Sequence, residues 1–340
     1  MRNFLEPWVL LRLVAGLVAC LFFARGAMTA QKVLRRFDVS RATEGQLALE
    51  RQIELASTFV RVGAVFQALT LLLTVLTADH LSHGVRGAMC AYGVFSSNTW
   101  GFRSLAITVG VAVLAGTVAQ CFAFDARVRN LELARAVSIL TLAMFPLSVL
   151  DLTAAEEFFG SLDLTVVASC CSVQLDSVAA TGEGFAAGPR VLATIFALLG
   201  IGASIVMALF AARSPTRGRV VAAGIMSLIA LPVAIAASVL EVAPHAFETP
   251  HHVCPFCLFR ADAFGMGYPL YGALFLATVW GAGAFVSALL ARRPDAADAL
   301  RSFARTRLLR GAVAWGLVVA LGVLPVLRYF IVSGGATLFP

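Results

Sequence analysis

Residues 268–291, YPLYGALFLATVWGAGAFVSALLA, run for 24 positions without a charged side chain and end against Arg292 and Arg293. An α-helix rises about 1.5 Å per residue, so a run of this length reaches across a hydrocarbon core roughly 30 Å thick. Working outward, the same test finds seven more runs, at residues 7–27, 57–78, 104–124, 133–150, 189–212, 220–242 and 311–332. The 133–150 run is the shortest, with Pro146 near its end and Asp151 just beyond.

Composition supports this reading. Of 340 residues, 60% are hydrophobic and 13% charged, about half the charged share of roughly 25% in soluble proteins. A water-soluble chain of this size needs more polar groups than these to cover its surface. A cytosolic enzyme is excluded, and no heptad or glycine-triplet period supports a coiled coil or collagen. The sequence predicts an all-α integral membrane protein: one transmembrane domain over residues 1–340, a polytopic bundle of about eight helices in a lipid bilayer.

Lysine and arginine accumulate in cytoplasmic loops because they resist translocation. Loops one, three, five and seven, with Arg135 at the start of the fourth run, hold 17 basic residues, whereas loops two, four and six hold only Arg86, Arg103 and Arg260, with Arg190 at the start of the fifth run. This predicts both termini outside the cytoplasm, with outer loops at 79–103, 151–188 and 243–267. The net charge of +7 is thereby a topology signal and implies no nucleic-acid partner. Lys32, Arg35 and Arg36 follow the first run, with Arg25 near its end, instead of preceding it, which reads as an uncleaved anchor and not a signal peptide. Between the first two spans, Thr43 is a plausible cap for a solvated helix continuing into the second. Arg301 to Arg310 form an amphipathic, arginine-rich stretch suited to an anionic membrane surface.

The groups that carry chemistry fall on one side of this topology. All five histidines, His80, His83, His245, His251 and His252, lie in outer loops or at their edges, with five of the seven cysteines: Cys90, Cys170, Cys171, Cys254 and Cys257. Cys20 and Cys121 lie in spans, where a thiol behaves as a small apolar residue. The densest stretch is His251-His252-Val253-Cys254-Pro255-Phe256-Cys257. Proline favours the first turn of a helix, so Cys254 is expected at an N-cap, where unpaired N–H groups favour thiolate. CxxC spacing lets the second thiol resolve a mixed disulfide formed at the first. Two thiols and two imidazoles equally suit zinc or copper, with His251, His252, Cys254 and Cys257 as ligands. A structural disulfide is the third reading. Leu258 follows the second cysteine, so the CxxCH needed for covalent haem is missing.

Cys170 and Cys171 are neighbours, and a disulfide between them would be strained; pairing with Cys90 or the CPFC cysteines is the better expectation. Five outer cysteines are an odd number, so at least one must stay reduced, hold metal or cycle through exchange. Arg12 and Arg328 each lie near the outer end of a span, placed to pair with an acid such as Asp151, to reach the interface, or to face a quinone. Within the spans Gln67 and Gln120 are polar, but no carboxylate relay is evident.

The tetrapeptide at 254–257 resembles the active-site CPxC of glutaredoxins and other thioredoxin-fold oxidoreductases, over those four residues and without their βαβ context. Outer-loop thiols on a helical bundle are similar in logic to the membrane thiol-disulfide enzymes of the DsbB and vitamin K epoxide reductase group, which use about four core helices. The expected function is thiol-disulfide redox or electron transfer at the outer face, with Cys254 exchanging, Cys257 resolving and Cys90, Cys170 and Cys171 relaying toward a redox partner or quinone. The alternatives are copper or zinc handling with a metal-carrier partner, and a structural or permease subunit of a larger membrane complex. The preference for arginine over lysine suggests a bacterial inner membrane.

Overall fold

The computed structural model describes residues 2–37, 43–128, 133–163, 187–250, 252–292 and 294–339. These are mostly helical, with no strand among them. Eight helices are long and apolar enough to cross a membrane: α1 (Pro7–Arg36), α2 (Glu44–Leu81), α4 (Gly101–Asp125), α5 (Ala134–Gly160), α6 (Ala187–Arg213), α7 (Arg217–Ala246), α8 (Gly267–Leu290) and α9 (Pro294–Val332), with a short α3 (Ala91–Ser96) between α2 and α4.

Local signals account for several boundaries. Thr43 caps α2, its hydroxyl accepting from Gln46 N–H at 3.3 Å, so the polar stretch before the second span is the first part of one 38-residue helix. The Arg301 to Arg310 stretch is likewise continuous with the last span in α9. Pro146 and Pro232 stand inside α5 and α7 without ending them, and α7 closes through a π-helical turn at Ser238–Val242.

The fourth span also departs from its hydropathy boundary. Instead of stopping near residue 150, α5 continues to Gly160. Ala154, Ala155, Phe158 and Phe159 are buried along one face while Glu156 and Glu157 are exposed on the other. The charges that end an apolar run in one dimension lie on the solvated side of a helix in three. Asp151, placed by the sequence just outside the membrane, is therefore an interior helical residue.

The eight long helices pack as two groups of four. α1 packs on α2 and α5, and α4 bridges α2 and α5; α7 packs on α6 and α8, and α9 on α6 and α8. The groups meet where α4 lies along α8, and there Gln120 Nε2 donates to the Val279 carbonyl at 2.6 Å. The loops at one end of the bundle, after α2 and after α7, carry Cys90 and the CPFC stretch. That end is here called the thiol end.

Candidate functional site

Cys90 is the residue immediately before α3, and Cys254 the residue before a short 3-10 helix, Pro255–Phe259, with Pro255 in its first turn. Each sulfur thus belongs to a residue whose following amides lack intrahelical acceptors. Although 164 residues separate them, Cys90 Sγ and Cys254 Sγ are 3.6 Å apart, and the three sulfurs of Cys90, Cys254 and Cys257 all lie within 4.8 Å of one another. They are 0%, 1% and 4% exposed respectively.

Two devices hold the loops together. Arg260 donates through a guanidinium N–H to the Met89 carbonyl, tying the CPFC loop to the residue preceding Cys90. Phe256, between the two cysteines of the motif, inserts among Tyr92 and Phe95 of α3 and Phe102 of α4, with ring centroids 5.5–6.3 Å away. Phe95 in turn stacks on Phe158 at 5.4 Å, which is why the last turns of α5 matter to the site. Aromatic packing of this kind excludes water from the sulfurs.

His252 lies against this cluster. Its ring stacks on Phe247, centroids 4.1 Å apart, and its Nε2 is buried without a hydrogen-bond partner. Burial pushes the imidazole below its ordinary range, with the Cys90 sulfur acting in the opposite sense. A neutral imidazole keeps a lone pair available to a metal.

The other predicted residues are distributed as follows. Cys170, Cys171 and His251 lie outside the described residues. Arg328 pairs with Glu248 at 3.6 Å, both about half exposed, and lies over the Phe264 ring. His80 packs on Trp8, whereas His245 packs on Tyr329 and Phe339 and its Nδ1 bonds the Glu241 carbonyl at 2.8 Å.

Arg12 does not reach the interface. It is fully buried and its Nη2 donates to Asp151 Oδ1 at 2.8 Å. Thr108 donates to the same oxygen at 2.5 Å, Gln67 to Oδ2 at 2.8 Å, and Arg12 Nε to Thr74 at 3.0 Å. One network therefore joins α1, α2, α4 and α5. Sequence reading named Arg12, Gln67 and Asp151 but not Thr74 or Thr108, and placed Asp151 just beyond its span. The missed signal is helical: Thr141, Met144, Ser148, Asp151 and Ala155 recur at the three-to-four-residue spacing of one buried face.

Compared with protein-family models, with curated proteins and with solved structures, the chain matches none. The chemistry of the site rests on its geometry alone.

Proposed function

We propose that this membrane protein binds a soft metal ion, copper(I) or zinc, through the thiolates of Cys90, Cys254 and Cys257. The observation that carries this reading is the convergence of three buried sulfurs within 4.8 Å from two distant loops. A tetrahedral zinc with Zn–S bonds of about 2.3 Å needs sulfurs roughly 3.8 Å apart, so small side-chain rotations suffice to close the set around an ion. Cys90 joins the donors expected from the motif, and His252, whose buried Nε2 has no partner, is proposed as the fourth ligand; it stands outside the 4.8 Å sulfur group, so its ring must turn toward the sulfurs to complete the set. Thiolate and imidazole together select copper(I) or zinc over hard cations such as magnesium. The site faces the extracytoplasmic side, in a bacterial inner membrane, and its natural counterpart is an extracytoplasmic metal-carrier protein.

The test is elemental analysis of the full-length protein, purified anaerobically in detergent. Stoichiometric copper or zinc that is lost on Cys90→Ser and on Cys257→Ser, and reduced by His252→Ala, is the expected result. Metal-free protein that takes up neither ion, with monomeric and folded variants as controls, overturns the reading.

A second reading is favoured by one contact. Cys90 Sγ and Cys254 Sγ at 3.6 Å are placed to form a disulfide, releasing two protons and passing two electrons to an acceptor of the quinone class, with Cys257 adjacent to reopen the bond by exchange. Near-complete burial weighs against direct attack by an external thiol, since reactive cysteines are partly exposed. Alkylation and mass spectrometry of the same preparation separate the two: a Cys90–Cys254 disulfide that cycles with reductant and persists without metal favours exchange.

A further inference from the structure

We infer that a crevice between α2, α4, α8 and α9, remote from the sulfurs, is a binding site for an anionic glycerophospholipid. The crevice has a volume of about 380 Å³, within the roughly 300–1,000 Å³ range of small-molecule sites. Its walls are apolar, built from Ala64, Ala119 and Phe275 among others, while Arg61, Arg307 and Gln120 are its polar lining residues.

Depth fixes where these groups stand. Arg61 is 20 residues from the thiol end of α2, and Gln120 is 19 residues from that end of α4. At 1.5 Å per residue both lie about 30 Å below it, one hydrocarbon thickness away. The polar groups are thus gathered at the opposite membrane interface, and the apolar walls run back toward the bilayer centre. That is the order of head group and acyl chain in one leaflet.

Charge and hydrogen-bonding capacity specify the head group. The like charges of Arg61, Arg127 and Arg310 all act on Arg307, and Arg127 and Arg307 share the Phe303 ring at 5.2 and 5.1 Å. No carboxylate among the described residues forms an ion pair with any of the four. One or two turns away, by contrast, Arg301 has Asp298 at 3.4 Å. A phosphodiester supplies the missing negative charge, in the bidentate geometry guanidinium groups favour. Gln120 is 6% exposed, its amide nitrogen is engaged with Val279, and its Oε1 has no partner. A head-group hydroxyl donates to that oxygen, which points to a glycerol-type head group such as that of phosphatidylglycerol.

The experiment is lipid retention by native mass spectrometry, with thermal unfolding in parallel, on the full-length protein in detergent. Phosphatidylglycerol, phosphatidylcholine and inorganic phosphate are each added in turn. The site predicts retention and a raised unfolding temperature with phosphatidylglycerol only. Arg61→Gln with Arg307→Gln should lower retention about tenfold or more, the order expected for two basic contacts to an anionic lipid. Ala119→Phe, which fills the crevice and keeps both charges, should do the same, whereas Arg213→Gln at another arginine should not. Equal retention of phosphatidylcholine, full retention by the double variant, or an equal effect of inorganic phosphate overturns the assignment. Metal content is unaffected in every arm, so this test is independent of the sulfur centre.

Discussion

The two four-helix groups solve the same problem with different chemistry. In lipid, burying apolar surface between helices yields little, because the tails are as apolar as leucine; association depends on close packing and polar contacts. The first group, α1, α2, α4 and α5, concentrates its polar contacts in one buried ion pair supported by Gln67, Thr74 and Thr108. The second, α6 to α9, spreads small contacts. Ser227 of α7 accepts from Trp315 Nε1 of α9 at 3.0 Å and donates to the Ala277 carbonyl of α8 at 3.3 Å, and Gly281 of α8 lies directly against it. One group is therefore brittle to loss of charge and the other to gain of volume.

The largest effect is expected in the first group. Asp151→Ala leaves the Arg12 guanidinium buried and uncompensated, and removing one partner of a buried pair costs about 3–5 kcal/mol. Unfolding of the purified protein in mixed detergent–SDS micelles measures it. Arg12→Leu combined with Asp151→Leu should recover most of the loss, because no buried charge then remains. Failure of the double variant to recover would mean that the geometry of the network, not charge compensation, holds these helices. Gly16 bears on the same point: a Cβ there would stand 2.7 Å from Arg12 Nη1, so glycine makes room for the guanidinium.

In the second group the sensitive position is Gly281, where an added Cβ would overlap the Ser227 hydroxyl. Gly281→Leu should cost about 1–3 kcal/mol by overpacking, read in the same unfolding assay, and should be partly relieved by Ser227→Gly. Ser227→Ala alone should cost only about 0.6 kcal/mol, the average for a hydrogen bond between membrane helices. A Ser227→Ala loss as large as that of Asp151→Ala would erase the contrast between the groups.

The fold was legible in the sequence because apolar runs of membrane length are a one-dimensional signal. The cap at Thr43 and the gathering of Cys90 with the CPFC residues followed from spacing and topology. Pairing of Arg12 with Asp151 was one of the options the sequence offered, but its burial inside the bundle was not legible, since the partners are 139 residues apart and Asp151 shares its helix with Glu156 and Glu157, which hydropathy averaging reads as the start of a loop. His252's orphaned nitrogen and the metal-donor role proposed for Cys90 depend on how two loops fold against each other through Phe256 and Arg260. No local pattern encodes such contacts. The division into two groups of four leaves no trace either, because no internal sequence repeat accompanies it.

The smallest predicted effect makes the sharpest control. Arg12 and Arg328 occupy comparable places in the sequence, near the ends of the first and last spans predicted to face outward, and hydropathy treats them alike. Arg12 is fully buried with Asp151 at 2.8 Å; Arg328 is half exposed with Glu248 at 3.6 Å. An exposed pair pays side-chain entropy and is screened by solvent and salt, so it contributes about 0–1 kcal/mol. Arg328→Ala should therefore lie within about 0.5 kcal/mol of the parent protein, and that small difference should vanish at high salt. Arg12→Ala should remain severe at every ionic strength, because the low-dielectric interior admits no counterions. If the two substitutions cost the same and respond alike to salt, the Arg12 pair is solvated, and the first group is not held by a buried charge.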